Sequence, residues 1–358
     1  MTALRVRGVF LPDETERDAW IVDGRLTFTP VSDADTVANG GWIVPGFIDA
    51  HCHIGLQPEG HVPDIAGQAV QARADRDAGA LLLRDAGSPV DNRAVQDDPT
   101  LPRLIRAGRH IARTRRYIRD LGVEIEPDDL VAEVERQAAR GDGWVKIAAD
   151  WIDRATGDLG PTFPDDALAA GIARAHALGA RVAAHVFGED ALPGLIAAGI
   201  DSIEHGTGLT DDLIAQIAGR DIAVVPTLIN IDTFGGIAAQ ADAKFPVYAA
   251  HMRALLATSR ERVRNAWEAG VPVYVGTDAG GSLPHGLVRA EIAALVGAGI
   301  PQADVIAQAS WRGRQWLGWP GLDDGAPADL VVYAEDPRVS LATLAEPQRI
   351  VLRGAVVA

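Results

Sequence analysis

The chain has 358 residues, with 33 Lys and Arg against 49 Asp and Glu, so its formal net charge at pH 7 is −16. Hydrophobic residues make up 47% of the chain and charged residues 23%, and this balance excludes disorder as the dominant state. An acidic chain without basic runs also excludes nucleic acid and anionic membranes as main partners, since both bind through dense positive charge. We therefore expect a small-molecule substrate.

Cysteine content and apolar runs indicate where the protein works. The only cysteine, Cys52, excludes an internal disulfide framework and is typical of a reducing compartment. Residues 1–9 lack the apolar stretch of a signal peptide, and no run of about 18 apolar residues occurs in the sequence. The sequence therefore predicts a soluble cytoplasmic protein.

Short β-like runs, separated by turn residues, lie at both ends of the chain. These runs are residues 4–11, 19–22, 25–28, 329–333 and 349–352. Each terminal segment is too short to hold a core alone. We therefore predict that residues 1–44 and 321–358 combine into one composite β-sandwich domain, with two independent edge hairpins as the alternative.

Residues 45–320 alternate short apolar strands with amphipathic helices. The predicted strands are residues 43–51, 80–84, 104–109, 144–147, 181–185, 202–204, 222–226 and 273–276. Eight strands separated by helices predict an α/β fold and, at this length, a closed (β/α)₈ TIM barrel. The alternative is a doubly wound open sheet, which requires a glycine-rich turn where this chain has His51-Cys52-His53.

Side chains that can bind metals stand at the ends of these predicted strands. His51 and His53 point to the same face because side chains alternate along a strand, and two such imidazoles can bind a cation such as Zn²⁺. This pair alone is weak evidence. The other strands contribute Lys146, His185, His205 and Asp278. Because barrel active sites lie at the carboxyl ends of the strands, the combined set predicts a metal centre.

The sequence is similar to the amidohydrolase superfamily over nearly its whole length. The resemblance rests on residues 44–53 (VPGFIDAHCH), 202–206 (SIEHG), 225–228 (VPTL), 276–280 (GTDAG) and 325–332 (GAPADLVV). These motifs look most like those of imidazolonepropionase-like enzymes and of the metal-dependent Xaa-Pro dipeptidase and carboxypeptidase group. The resemblance implies a (β/α)₈ barrel with a β-sandwich built from both termini, in agreement with the pattern of strands.

The resemblance also implies roles for the candidate ligands. His51 and His53 would bind the more buried of two metals, and His185 and His205 would bind the second. Asp278 would contact the first metal and act as the general base and then the general acid. A mononuclear site, as in imidazolonepropionase-like members, is the alternative.

Lysine is rare in this chain: of the 33 lysines and arginines, 31 are arginine and only Lys146 and Lys244 are lysine. Lys146 lies in an apolar strand, where an unpaired ammonium is costly to bury. It matches the position where binuclear members carry a lysine carboxylated by CO₂, whose carbamate bridges two metals, here expected to be Zn²⁺. Arginine forms no such carbamate, which explains why a lysine is kept.

The implied reaction is hydrolysis of a C–N amide bond in a dipeptide-like, N-acyl or cyclic amide substrate. A metal-activated hydroxide attacks the carbonyl, and Asp278 passes the proton to the leaving nitrogen. Ring deamination is disfavoured, since family deaminases place a glutamate two or three residues after the fifth-strand histidine and here Glu189 follows His185 by four. The alternatives are a lactone or phosphotriester hydrolase with the same metal centre, and a catalytically silent binding protein.

Loop residues supply the candidates for substrate binding. His285 follows the eighth strand, and Arg113 and Tyr117 belong to a basic cluster after the third strand that suits a substrate carboxylate. The alternatives are a surface histidine and a solvated basic helix. Residues 227–247 form either a lid or a subunit contact in a homo-oligomer. Three further histidines are interpreted as structural: His110, His176 and His251.

Overall fold

A computed structural model describes residues 3–58 and 61–358, which form an α/β fold. The strands are β1 (Leu4–Phe10), β2 (Thr15–Val22), β3 (Arg25–Thr27), β4 (Asp35–Pro45), β5 (Phe47–Cys52), β6 (Ala80–Asp85), β7 (Arg103–Arg106), β8 (Ile111–Arg113), β9 (Val123–Ile125), β10 (Trp144–Ala148), β11 (Asp150–Asp153), β12 (Asp158–Pro161), β13 (Arg181–Val186), β14 (Ser202–His205), β15 (Ala223–Val225), β16 (Leu330–Tyr333), β17 (Arg349–Leu352) and β18 (Ala355–Val356). The α-helices are α1 (Ile65–Asp77), α2 (Arg93–Asp97), α3 (Leu130–Arg140), α4 (Asp165–Ala177), α5 (Leu192–Ala198), α6 (Asp211–Ile217), α7 (Leu228–Ile231), α8 (Phe234–Ala241), α9 (Pro246–Glu268), α10 (Val288–Gly297), α11 (Gln302–Ala309) and α12 (Trp311–Trp316). Among these helices of the described chain, none is long and apolar enough to cross a membrane.

Helix ends lie where the local sequence favours them. α1 begins after Asp64, whose side chain accepts a hydrogen bond from Gly67 N at 2.8 Å. α6 begins after Thr210, whose hydroxyl accepts from Leu213 N at 3.4 Å. Both are N-caps that satisfy a backbone N–H without an intrahelical partner. α5 ends at Gly199, where a φ of 79° suits a residue without a Cβ.

Strands from the two ends of the chain pair in one seven-stranded sheet, in the order β18-β17-β16-β4-β1-β2-β3. In this sheet β4 runs parallel to β1 on one side and antiparallel to β16 on the other. Buried side chains from both ends, including Val6, Ile43 and Val332, form one apolar cluster. Segments distant in sequence thus share a sheet, while their separation as a sandwich domain of residues 1–44 and 321–358 stays a prediction.

The central part of the chain holds two parallel sheets that carry the candidate ligands. One has the order β5-β6-β7, and in the other β15, β14, β13, β10, β8 and β9 lie side by side. The carboxyl ends of parallel strands meet at one edge of a sheet. Large apolar clusters pack on these strands and on the helices between them, so the ligand-bearing ends are held by a well-filled core.

The first predicted central strand, residues 43–51, is wrong in its extent. The chain divides this run between β4, which ends at Pro45, and β5, which begins at Phe47. Proline has no N–H to continue a ladder, and at Gly46 an added Cβ would lie 2.5 Å from Leu81 Cδ1. The chain therefore passes from the terminal sheet to the central sheet at Gly46, with His51 near the far end of β5.

The predicted eighth strand, residues 273–276, is extended but forms isolated bridges rather than a ladder. It lies between the two central sheets, because Tyr274 N donates to Val224 O at 2.9 Å and Ala50 N donates to Val275 O at 2.8 Å. Beyond these bonds, Thr277 N donates to the Asp49 carboxylate at 3.0 Å. Thr277 N also donates to His51 O at 3.1 Å, so the Asp49 carboxylate adds a second acceptor at the end of this segment.

Candidate metal centre

Six side chains from five chain segments converge on one buried region. They are His51 and His53 at the end of β5, Lys146 of β10, His185 of β13, His205 of β14 and Asp278 after the segment 273–276. All but one are almost fully buried. Asp278 is the exception, with 17% of its side chain exposed, so the cluster is open to solvent at this carboxylate.

His51, His53 and Asp278 form one half of the cluster, with their ligand atoms within 4.8 Å of one another. Asp278 Oδ1 lies 2.9 Å from His53 Nε2 and 3.2 Å from His51 Nε2. Burial alone would raise the pKa of Asp278, but the charges and hydrogen bonds of the two imidazoles hold it well below its usual value. Asp278 is therefore ionised, as a metal ligand must be.

Lys146, His185 and His205 form the other half. His205 Nε2 lies 3.0 Å from His185 Nδ1. Burial holds the pKa of both histidines well below the usual value, so both imidazoles are neutral, the form that binds metals. Burial also lowers the pKa of Lys146 to about 8. Among the described residues, no carboxylate oxygen lies within 4.0 Å of Lys146 Nζ.

Three of the imidazoles have an orienting partner at Nδ1. The pairs are His51 with Glu204 Oε2 at 2.6 Å, His53 with Gly87 O at 2.7 Å and His205 with Thr227 Oγ1 at 2.7 Å. Each contact leaves Nε2 facing the cluster, the arrangement in which an outer partner orients a metal-binding histidine. His185 is turned the other way, with Nε2 3.7 Å from Asp150 Oδ1.

Glu204 and Arg84 belong to the candidate site and were not predicted from the sequence. Arg84 Nη2 lies 2.7 Å from Glu204 Oε1, and both side chains are almost fully buried. The Arg84 guanidinium also lies 4.4 Å from the centre of the Trp144 ring. Burial would raise the pKa of Glu204, but neighbouring positive charge, Arg84 foremost, holds it well below its usual value. An acid and a base inside apolar strands were the available signal, since such charges are rarely buried unpaired.

Three residues of the site hold a left-handed backbone. The φ angles are 67° at His205, 48° at Thr227 and 57° at Asp278. This region is uncommon for residues with a Cβ, and such backbone strain costs about 1–3 kcal/mol per residue. Each of the three stands where a strand runs into its loop. Strain retained at these positions is typical of a functional site.

His110 and Tyr117 extend the site beyond the predicted ligands. His110, interpreted above as structural, is buried with its ring 5.1 Å from that of His53. Its Nδ1 has no hydrogen-bond partner within the described part of the chain. The Tyr117 ring lies 5.4 Å from His110 and 5.2 Å from His185. Tyr117 is therefore next to the cluster, while its contact with substrate stays a prediction.

The other two residues predicted to bind substrate have partners elsewhere. His285 Nδ1 lies 2.8 Å from Asp75 Oδ2 of α1. Arg113 Nη1 donates to Thr162 O at 3.3 Å, and its Nε lies 4.0 Å from Glu126. The roles proposed for His285 and Arg113 stay predictions, and each would first have to exchange a contact within the fold.

Residues 227–247 fold into α7, α8 and the start of α9. They pack beside the second half of the cluster, since the Phe234 ring lies 4.7 Å from Phe187 and the Phe187 ring lies 4.3 Å from His185. This side of the site is therefore apolar and aromatic. The lid and the subunit contact both stay predictions for this segment.

Comparison with known proteins identifies the family of this chain. Residues 42–357 match the model of the Amidohydrolase family. An uncharacterized protein of Mycobacterium tuberculosis is 56% identical over 352 residues, which are 98% of this chain and 95% of that protein. An uncharacterized protein of Mycobacterium bovis matches to the same extent.

Solved structures resemble the chain in fold. An Xaa-Pro dipeptidase with bound methionine has a TM-score of 0.82 at 20% identity, over 99% of both chains. Ochratoxinase of A. niger has a TM-score of 0.80 at 18% identity, over 99% of this chain and 96% of that one. Phenylurea hydrolase B has a TM-score of 0.74 at 19% identity, over 99% and 97%.

Proposed function

The chain belongs to the amidohydrolase family and is a metal-dependent hydrolase, and from this premise we propose that it cleaves a C–N amide bond. The substrate would be dipeptide-like, an N-acyl compound or a cyclic amide. The observation that carries the proposal is the convergence of six metal-binding side chains on a region whose one partly exposed member is the ionised Asp278. The similar fold of an Xaa-Pro dipeptidase supports the dipeptide-like option.

The residues present fit divalent metals. We propose that His51, His53 and Asp278 hold one ion and that His185 and His205 hold a second. Nitrogen and carboxylate ligands suit Zn²⁺. The two neutral imidazoles that face each other at 3.0 Å support the second site, because a shared cation would satisfy both nitrogens.

Lys146 would supply the anionic bridge between the two metals as a carbamate. In this reaction the neutral amine nitrogen bonds to the carbon of CO₂ and releases one proton, so a neutral amine becomes an anionic carbamate; the ammonium form first loses a further proton. A pKa lowered to about 8 supports the proposal, since more of the amine is neutral than in an ordinary lysine. The alternative is a single metal on His51, His53 and Asp278, which needs no lysine.

Asp278 would carry the proton during hydrolysis. When bound, a divalent metal supplies Lewis acidity, which lowers the pKa of a coordinated water to about 7 and polarises a carbonyl. Asp278 Oδ2 accepts a hydrogen bond from Asn230 Nδ2 at 2.7 Å, so the carboxylate is held in one orientation. It accepts the proton of the attacking water and then donates it to the leaving nitrogen.

Glu189 supports hydrolysis rather than ring deamination. Its Oε2 lies 3.0 Å from His251 Nε2, so its charge is engaged outside the cluster. The second candidate function is hydrolysis of a lactone or phosphotriester. The same metal ligands and the same Asp278 would serve it.

We also propose that the central sheets close into the (β/α)₈ barrel expected from the sequence. The hydrogen bonds of Tyr274 and Val275 to both sheets support closure on one side. On the other side, β7 of one sheet is followed after four residues, 107–110, by β8 of the other. Residues 1–44 and 321–358 would then form the composite sandwich domain.

The proposed setting is the cytoplasm, with a small molecule as the partner and neither nucleic acid nor membrane. Cys52 is free and buried, which suits a reducing compartment. Burial raises the pKa of its thiol well above the usual value. The thiol is therefore an apolar core residue rather than a reactive group.

Metal analysis and a substrate library test the proposed function together with the variant D278N. We expect about two equivalents of metal per chain, hydrolysis of amides in preference to lactones and phosphotriesters, and a loss of about 10²–10⁴-fold in kcat/KM in D278N. Metal retained in D278N would show that the loss lies in proton transfer. Less than about half an equivalent of metal, with no substrate hydrolysed, would refute the function.

A further inference from the structure

Tyr117 is one of the residues that line a cavity of about 830 Å³. The charged residues that line the cavity are four arginines and two acids: Arg109, Arg115, Arg119, Arg154, Asp120 and Glu124. Tyr117 also contacts the candidate metal ligand His185, with 5.2 Å between the ring centres. Tyr117 therefore lines the cavity and also lies next to the candidate metal centre.

Arg116 joins two of the loops that line this cavity. Arg115 and Arg119 follow β8, whereas Arg154 lies in the turn between β11 and β12. Arg116 Nη1 lies 3.1 Å from Asp153 Oδ2, and its Nη2 donates to the carbonyl of Trp151 at 3.2 Å. The charge of Arg116 is used within the fold, and this contact holds the lining arginines around the cavity.

The lining arginines lack carboxylate partners. In the part of the chain that the structure describes, no carboxylate oxygen lies within 4.0 Å of the guanidinium groups of Arg115, Arg119 and Arg154. Arg109 donates to the backbone carbonyls of Asp120 and Gly122 at 3.2 and 3.4 Å, and its buried Nε has no partner among the described residues. In a chain of net charge −16, arginines gathered in one wall without carboxylate partners favour a ligand of negative charge.

We propose that this cavity binds a carboxylate on the substrate, remote from the bond that is cleaved at the metal centre. The inference rests on the proposed amide hydrolysis, and it narrows the substrate class to amides with an anionic arm that extends past Tyr117. Arginine suits this role because its planar guanidinium binds a carboxylate through two parallel hydrogen bonds. Arg115, Arg119 and Arg154 are exposed, so a ligand can reach them without unfolding the loops.

Binding of a dicarboxylate can be measured without turnover. We would titrate glutarate by calorimetry into the full chain, the double variant R115Q/R119Q and the matched control R220Q. Arg220 is also exposed and stands between α6 and β15, outside the cavity wall. We expect the dissociation constant to rise about tenfold or more in the double variant, because two charge-assisted hydrogen-bond donors are lost.

The control R220Q and the competing ligand phosphate show whether glutarate binding depends on the cavity arginines and on a carboxylate. R220Q should bind glutarate within about twofold of the unchanged chain, and added salt should weaken binding to the unchanged chain, because exposed charges are screened. Equal binding by all three proteins, each shown to be folded by circular dichroism, would overturn the proposal. Inorganic phosphate that binds more tightly than glutarate would overturn the assignment to a carboxylate.

Turnover of matched substrates links the cavity to the reaction. The first pair is N-succinyl-L-methionine and the analogue in which the free succinyl carboxylate is a carboxamide, which tests an anion on the acyl side of the scissile bond. The second pair is N-acetyl-L-glutamate and N-acetyl-L-glutamine, which tests an anion on the amine side. We expect the acid of one pair to be preferred about tenfold in kcat/KM, and the preference to disappear in R115Q/R119Q but not in R220Q.

Failure of this proposal and failure of the proposed function give different results. Hydrolysis of acids and amides at equal rates by every variant would overturn the anionic subsite and leave amide hydrolysis intact. Glutarate binding that depends on the two arginines, without hydrolysis of any amide, would support the anion site and contradict the proposed function.

Discussion

The two halves of the metal centre differ in the source of their negative charge. In the first half, Asp278 lies 2.9 and 3.2 Å from the two β5 histidines, so the chain itself supplies an anionic ligand. In the second half, His185 and His205 face each other at 3.0 Å, and the nearby Lys146 is a cation or a neutral amine. The first half therefore has an anionic side chain once the chain has folded. In the second half the Asp150 carboxylate lies 3.7 Å from His185 Nε2, and we propose that a carbamate on Lys146 supplies the anion between the two metals.

The largest change in metal content and activity is expected from a substitution of Lys146. K146A should lower the metal content from about two equivalents to about one and reduce kcat/KM by about 10²-fold or more, because one of two Lewis acids is lost. K146E supplies a carboxylate from the chain and should regain part of the second equivalent. Elemental analysis with steady-state kinetics measures both. Full metal and full activity in K146A would contradict the carbamate.

The first half should respond to its buried partner Glu204. E204Q removes the charge that lies 2.6 Å from His51 Nδ1 and should lower metal affinity about 10–100-fold, as loss of an outer partner does. The variant also leaves Arg84 buried without its carboxylate, so the free energy of unfolding should fall by about 3–5 kcal/mol. Competition with a chelator measures the affinity, and urea unfolding measures the stability.

Glu291 offers a matched control for this variant. Its carboxyl accepts hydrogen bonds from Leu228 N and Ile229 N at 2.8 and 2.9 Å, and these partners are not candidate metal ligands. Burial raises its pKa to about 8, so E291Q exchanges a mostly neutral acid for a neutral amide at pH 7. Metal affinity that falls equally in E204Q and E291Q would show a general effect of the substitution rather than an orienting role for Glu204.

The smallest effect is expected from a substitution of His251, which lies outside the second half of the metal centre. Burial lowers the pKa of His251, but hydrogen bonds to Asp158 and Glu189 at 2.9 and 3.0 Å outweigh it and raise the pKa above 6.5. A raised folded-state pKa stabilises the fold fully below about pH 6.5, and this stability is lost as the pH rises through the raised value.

The variant H251Q should therefore lower the free energy of unfolding more at about pH 5.5 than at about pH 9. The difference should stay below about 1 kcal/mol, since the pair is partly exposed. Urea unfolding at the two pH values measures it. His251 and Asp150 share a cavity of about 50 Å³, so a change in metal content would show that this outer layer also supports the second half.

Local sequence was sufficient to select the candidate ligands but not their partners. His51 and His53 could be assigned to one face because alternation along a strand is a local property. The contact of His51 with Glu204, and of Glu204 with Arg84, joins β5, β14 and β6, and it depends on which strands are neighbours. Likewise, His110 had no signal of its own, because its position beside His53 arises from the packing of two loops.

Apolar patterning also failed to predict how segments pair. Residues 273–276 have the apolar character of a strand, yet they contact the two central sheets through an isolated bridge at Val273 and single hydrogen bonds rather than a regular ladder. The break at Gly46 has a similar origin, because close packing on Leu81 and a preceding proline separate two strands that hydropathy alone joins. Both departures arise from contacts between segments distant in the chain.

The arginines show most clearly what the sequence determines and what the tertiary structure decides. By itself, the sequence determined that the protein is acidic, that it keeps only two lysines, and that an arginine-rich loop follows β8. Only the tertiary structure decided that Arg116 pairs with Asp153, while Arg119 has no carboxylate within 4.0 Å among the residues that the structure describes. The physical reason is that residue type sets which charges are present, whereas the approach of distant loops decides which charges are neutralised and which remain for a ligand.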